Sequence, residues 1–208
     1  MAWKIEKWLS GVFPGKENIF SEYRLLSRRE LAIVVAGSLD LALAELIAKR
    51  LVDSPKECEE FLGANEDGRA PAGSFGARIQ LALLLGIISA QDAAQLRIVK
   101  SIRNKFAHRI KVDFTSETVK PLIRKLYDKV VVRTKSLITG GYLPGANNKP
   151  QFDMGPYLET TPEAGAALLL SVFCIYQAYF HRLLEIVPRI DDVARPSVTL
   201  SFGRHKQG

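Results

Sequence analysis

Cysteine is scarce: Cys58 and Cys174 are the only two in 208 residues, far apart and outside any CxxC or His/Cys cluster. That excludes a disulfide framework and a zinc site, and it fits a reducing compartment, so a cytoplasmic protein is expected. The chain also lacks an HExxH helix, an EF-hand loop and a dense carboxylate cluster, so no metal site and no cofactor are expected. The stretch "LGANEDGRAPAGSFG" (62–76) is rich in glycine but has no GK[ST] and no preceding strand. It reads as a connection whose Ser74 caps the next helix, rather than as a phosphate-binding loop. The N-terminal "MAWKIEKWLSGVFPGKENIF" has no continuous apolar core of the kind a secretory signal needs. Ala164–Phe180 carries no charge, yet its 17 residues include Gln177 and fall short of a bilayer span. A buried core helix is expected there, and no integral membrane association.

Charge of one sign is what the chain has in excess. It carries a formal +7 and an isoelectric point near 9.5. A positive field favours phosphates regardless of sequence, and it equally suits a basic solvated surface. With 47% hydrophobic and 25% charged residues, 208 residues suffice for one domain with a sizeable core.

The periodicity is helical throughout, with no clear strand pattern, so an all-α bundle of about five helices is expected and a doubly wound nucleotide fold is not. Ser27-Arg28-Arg29-Glu30 is a capping box. Leu31, Val34, Val35, Leu39, Ala42, Leu46 and Ile47 follow at helical spacing until Asp53-Ser54-Pro55 ends the pattern. "FGARIQLALLLGII" (75–88) is apolar on nearly every side and predicts a central helix. Ser89-Ala90-Gln91-Asp92 forms a second capping box for a helix whose Ile98, Ile102 and Phe106 face the core. A further helix should begin near Thr118, accommodate Pro121 in its first turn and run to Gly140-Gly141. Residues 140–162 read as a long connection, and Thr161-Pro162 opens the last helix, to about Val187. The expected organisation is an amphipathic N-terminal segment (1–26), one helical domain (27–187) and a mobile basic tail (188–208) holding His205. Trp3, Lys4, Lys7, Trp8, Leu9 and Val12 suit either a docking or membrane-surface helix or a cover for the domain's own core or dimer interface.

Within "SIRNKFAHRI" (101–110), Arg103, Asn104 and His108 are the candidate catalytic residues. Asn104 and His108 share a helix face, whereas Arg103 and His108 are five apart and about 140° around the helix. One chain therefore makes a loose site, and two copies meeting across a two-fold axis would bring arginine and histidine onto one phosphate. A histidine titrating near neutrality moves a proton, and an arginine neutralises charge gathering on phosphate oxygens. That is the equipment for attack by an RNA 2′-hydroxyl on its own phosphodiester. Lys105 and Arg109, with Lys125, Lys129 and Arg133 on the following helix, are candidate nucleic-acid contacts; the last three form one stripe at i, i+4, i+8. The plainer alternatives are cations at a helix C-terminus and a solvated helix face. His181 reads as a packing histidine.

"RNKFAH" resembles the Arg-x4-6-His signature of HEPN domains, which are helical and commonly dimeric. "ELAIVVAGSLDLALAELI", "GSFGARIQLALLLGIIS" and "LRIVKSIRNKFAH" together resemble the mannitol operon repressor family, over about residues 28–110 and more weakly to 139. The longer resemblance implies a transcriptional regulator. Since nothing resembles a helix-turn-helix, it would act through a protein partner. The shorter one implies a HEPN-like antiparallel bundle, a homodimer and, as the alternative function, a metal-independent endoribonuclease of toxin or defence type using Arg103, Asn104 and His108.

Overall fold

Ser27 and Glu30 close the first capping box: Ser27 Oγ accepts from the Glu30 amide at 3.3 Å while Glu30 accepts from the Ser27 amide at 2.8 Å. In the computed structural model, which describes residues 22–23, 25–63, 70–139 and 155–190, this box starts α1 (Arg28–Arg50). There follow α2 (Pro55–Leu62), α3 (Phe75–Leu84), α4 (Ala90–His108), α5 (Lys120–Thr139), a 3-10 turn (Gly155–Tyr157) and α6 (Pro162–Ile186). Among the described residues the protein is all-α, with no strand. The expectations for residues 1–21, 140–154 and 191–208 lie outside the described residues.

The centre of the bundle is α1. It packs against α3, α4 and α6, while α4 also packs on α3 and α5, and α5 on α6. From Ala42 to Ala48 every side chain of α1 is buried, and its partner α6 buries Leu168, Leu169, Val172, Phe173, Tyr176 and Phe180. Both helices are long and apolar enough to cross a membrane by length and composition. Over those apolar stretches α1 is 72% and α6 50% buried within the bundle. Val34, at a core spacing in the sequence, is 37% exposed because the first half of α1 is covered on one side only.

Two elements differ from the sequence reading. Ser54-Pro55, read as a stop, also begins α2, since proline at the first helical position gives up an amide that no helix would use. And α3 ends at Leu84 rather than Ile88, so it is peripheral rather than central, with Leu84 73% exposed. Gly86 adopts φ +68°, letting the Ile87 and Gly86 amides return to the carbonyls of Ala82 and Leu83 at 2.9 and 3.1 Å. This Schellman arrangement satisfies the helix end and folds Ile87 and Ile88 back into the core.

Tyr23, which the sequence assigns to the N-terminal segment, belongs to the core. It stacks on Phe173 at 4.6 Å, and its hydroxyl pairs with Ser38 Oγ at 2.7 Å. The expected tail is also tied down where it begins: the Pro188 carbonyl accepts from Arg50 at 3.1 Å, and Arg189 pairs with Asp53 at 2.9 Å.

Candidate functional site: the exposed end of helix α4

The second capping box starts α4: Ser89 Oγ accepts from the Asp92 amide at 3.1 Å, and Asp92 accepts from the Ser89 amide at 3.0 Å. Ile98, Ile102 and Phe106 face inward as their spacing predicts, the last two completely buried. The opposite face and the last turn are therefore left to solvent. Arg103, His108 and Arg109 are exposed there, and Asn104 and Lys105 are half-buried.

What fixes this helix end and the turn after it is a pair of arginines from the start of α1. Arg29 donates to the carbonyls of Phe106, Arg109 and Ile110 at 2.5, 2.5 and 2.7 Å. The first is an acceptor that the last helical turn leaves unsatisfied and the other two lie at the cap and just past it, all of them suited to a guanidinium in charge and in fork geometry. Arg28 pairs with Asp113 at 2.8 Å and with Glu163 at the start of α6. Beneath them Phe114 packs on Phe106 with ring centroids 4.8 Å apart. The fit over Phe114 is close enough that a Cβ on Gly165 would lie 2.6 Å from the Phe114 Cβ. The turn after His108 is thus anchored from α1, from α6 and from below, while Ile110 projects from it 93% exposed.

Of the motif residues, Arg103 and Asn104 are joined: the Arg103 guanidinium donates to Asn104 Oδ1 at 3.1 Å. Among the described residues no hydrogen bond links His108 to either of them; Arg103 lies about 140° around the helix from it, and Asn104, on the same face, donates no bond to it. Arg103 also lies in the field of Asp40 on α1. Burial pushes the Asp40 carboxyl up, against the pull of Arg78 and, more weakly, Arg103. Arg78 NH1 is 2.8 Å from Asp40 Oδ1, close enough for an ion pair but too poorly directed for a hydrogen bond. Arg109 donates to Thr118 Oγ1 at 3.4 Å.

The expected stripe on α5 is not one surface. Lys125 is exposed and Lys129 half-buried, but Arg133 turns inward. It grips Asp92 with two bonds of 2.6 and 2.8 Å, with only 12% and 0% of the two side chains exposed. The guanidinium also lies over the Tyr179 ring, 5.1 Å from its centroid. Tyr176 donates to Gln95 Oε1 at 2.9 Å and reaches Asp92 at 3.2 Å. Burial, with the Asp92 charge beside it, raises the Tyr176 hydroxyl well above its ordinary range and keeps it a donor. Arg133 is thus a bolt between α4, α5 and α6, and of the three stripe residues only Lys125 is fully at the surface.

The sequence reading missed Arg29, Asp40 and Arg78. Arg28-Arg29 sits inside the first capping box and carries no separate signal. Arg78 did carry one, as the lone charge in an apolar helix, which marks a buried cation with partners waiting. Comparison with known proteins found no matching family model, no matching curated protein and no matching solved structure.

Proposed function

We propose that the exposed end of α4 engages RNA, and that two copies of the chain complete a metal-independent site for phosphodiester cleavage there. The observation that carries this reading is the set of Arg103, Lys105, His108 and Arg109 on a helix end whose backbone Arg29 holds in place. His108 takes the proton from an RNA 2′-hydroxyl, the oxygen bonds to phosphorus, and the bond to the 5′-oxygen breaks, that oxygen leaving as a hydroxyl with the proton His108 returns, so that a 2′,3′-cyclic phosphate remains. Arg103, steadied by Asn104, neutralises the charge on the phosphate oxygens during the transfer. Because Arg103 and His108 point about 140° apart on one helix, the histidine of one copy works with the arginine of the other.

The test is incubation of the purified protein with mixed-sequence RNA in excess EDTA, beside His108→Ala. Fragments with cyclic phosphate ends are expected, falling by roughly 100-fold or more in the variant. Intact RNA with the parent protein, or equal cleavage by both, would refute the reading.

A second reading, a regulator of the mannitol repressor type acting through a protein partner, is favoured by one separate feature. The first half of α1 presents Ile33 and Val34, 36% and 37% exposed, beside Gly37, where a Cβ would meet nothing within 4 Å. An apolar helix face with a glycine gap suits the close approach of another helix.

A further inference from the structure

At the C-terminal end of α1 lies an apolar groove of 490 Å³ lined by Leu51, Val52, Cys58, Phe61 and Pro71, with Glu57 and Glu60 beside them. Its shape follows from the break at Asp53-Ser54. The chain turns back so that Cys58 Sγ donates to the Val52 carbonyl at 3.6 Å, and Cys58 and Leu62 face inward. Phe61 and Val52 are left as outer walls, 36% and 38% exposed. Arg78 fixes the far side: it donates to the carbonyls of Leu62 at 2.6 Å and Ala72 at 3.0 Å, while its charge is met by Asp40. The groove is thus built in advance of any occupant, which lowers the ordering that binding must supply.

Its charge is opposite to that of the rest of the chain. Two of the residues that line it are acidic, Glu57 and Glu60, and none is a lysine or arginine, in a chain of net +7. Lys56 is held only loosely to Glu60, at 3.9 Å with both side chains mostly exposed, and such a pair yields readily to a better partner. An acidic rim repels RNA and anionic lipid alike, and it attracts lysine and arginine.

We infer that this groove docks a cationic amphipathic helix from a partner protein, its apolar ridge laid along Leu51, Val52, Phe61 and Pro71 and its basic side chains against Glu57 and Glu60. That is the helix-in-groove mode of recognition, with the rim charges fixing orientation and excluding acidic competitors. The inference is independent of the RNA reading, since it uses other residues at the other end of α1.

Two synthetic 14-residue helical peptides test it against the full chain. One is built of leucine, lysine and a single tryptophan; the other has glutamate at every lysine position. Saturable binding of the cationic peptide alone is expected, weakening as salt rises and falling about tenfold in Glu57→Lys/Glu60→Lys, two charge reversals at the rim. Phe61→Ser removes a groove wall, and it should abolish binding while lowering the melting temperature by some degrees and leaving the helical circular dichroism at the assay temperature unchanged. Equal binding of both peptides, no binding of the cationic one, or binding indifferent to the rim reversals in a folded variant would overturn the assignment.

Discussion

Arg29→Met asks whether the α4 end is held as described, because methionine keeps much of the apolar stem and removes the guanidinium. Three hydrogen bonds disappear, to the carbonyls of Phe106, Arg109 and Ile110. The first is part-buried, and a charge-assisted bond in that setting contributes about 1.5–3 kcal/mol. The other two are exposed, so water replaces most of what they contribute, leaving about 0.5 kcal/mol each. The expected loss is therefore about 2.5–4 kcal/mol, a fall in Tm of roughly 5–15 °C for a chain of this size. It should also be local: amide exchange of Ala107, His108 and Arg109 should accelerate more than that of Ile98 or Leu96 in the middle of the helix. Arg29→Lys keeps the charge but not the fork, and should recover part of the loss. Calorimetry and hydrogen exchange read both quantities. A Tm within about 1 °C of the parent, or exchange that rises evenly along α4, would refute the clamp.

Other consequences follow from the same contacts. Arg133→Met leaves Asp92 buried without its cation, which should cost about 3–5 kcal/mol in urea unfolding. Asp92→Leu/Arg133→Met should cost clearly less than the two single changes summed; additivity would show that the pair does not act as a unit. Gly165→Ala drives a methyl into Phe114 and should destabilise by about 1–3 kcal/mol, so a neutral result in denaturant titration would contradict that packing. Asp40 binds its proton more readily folded than unfolded, because burial raises its carboxyl. The stability of the parent relative to Asp40→Asn should therefore be greatest below the ordinary carboxylate pKa and decline as pH rises through the raised one. The opposite slope would mean that the Arg78 charge, rather than burial, governs the carboxyl.

Much of the fold is legible in the sequence wherever a local rule and the tertiary structure agree. Both capping boxes start helices where Ser27 and Ser89 predict, and Ile98, Ile102 and Phe106 face the core at their spacing. The failures have physical causes. Ser-Pro is a signal both to stop and to start a helix, and only the packing of Cys58 and Leu62 shows that it starts one. An apolar run says nothing about a single glycine with positive φ, so α3 was expected to pass through Gly86. On the candidate site, helical spacing gives which residues share a face but not what that face meets. Lys125, Lys129 and Arg133 lie in register, yet Asp92 on a neighbouring helix draws Arg133 away from the surface. Arg29 was beyond reach for the same reason, its acceptors lying some 80 positions along the chain.

The most direct test of the account is complementation on RNA in excess EDTA. Arg103→Ala and His108→Ala are each assayed alone, then mixed, dissociated and reassociated, with the parent protein as reference. If two copies build one site from the arginine of one and the histidine of the other, each variant is inactive and the mixture regains cleavage, because one of the two sites in a mixed pair is intact. A parent that leaves RNA whole would contradict the account at its root, and a mixture that stays inactive beside an active parent would place both groups in one chain.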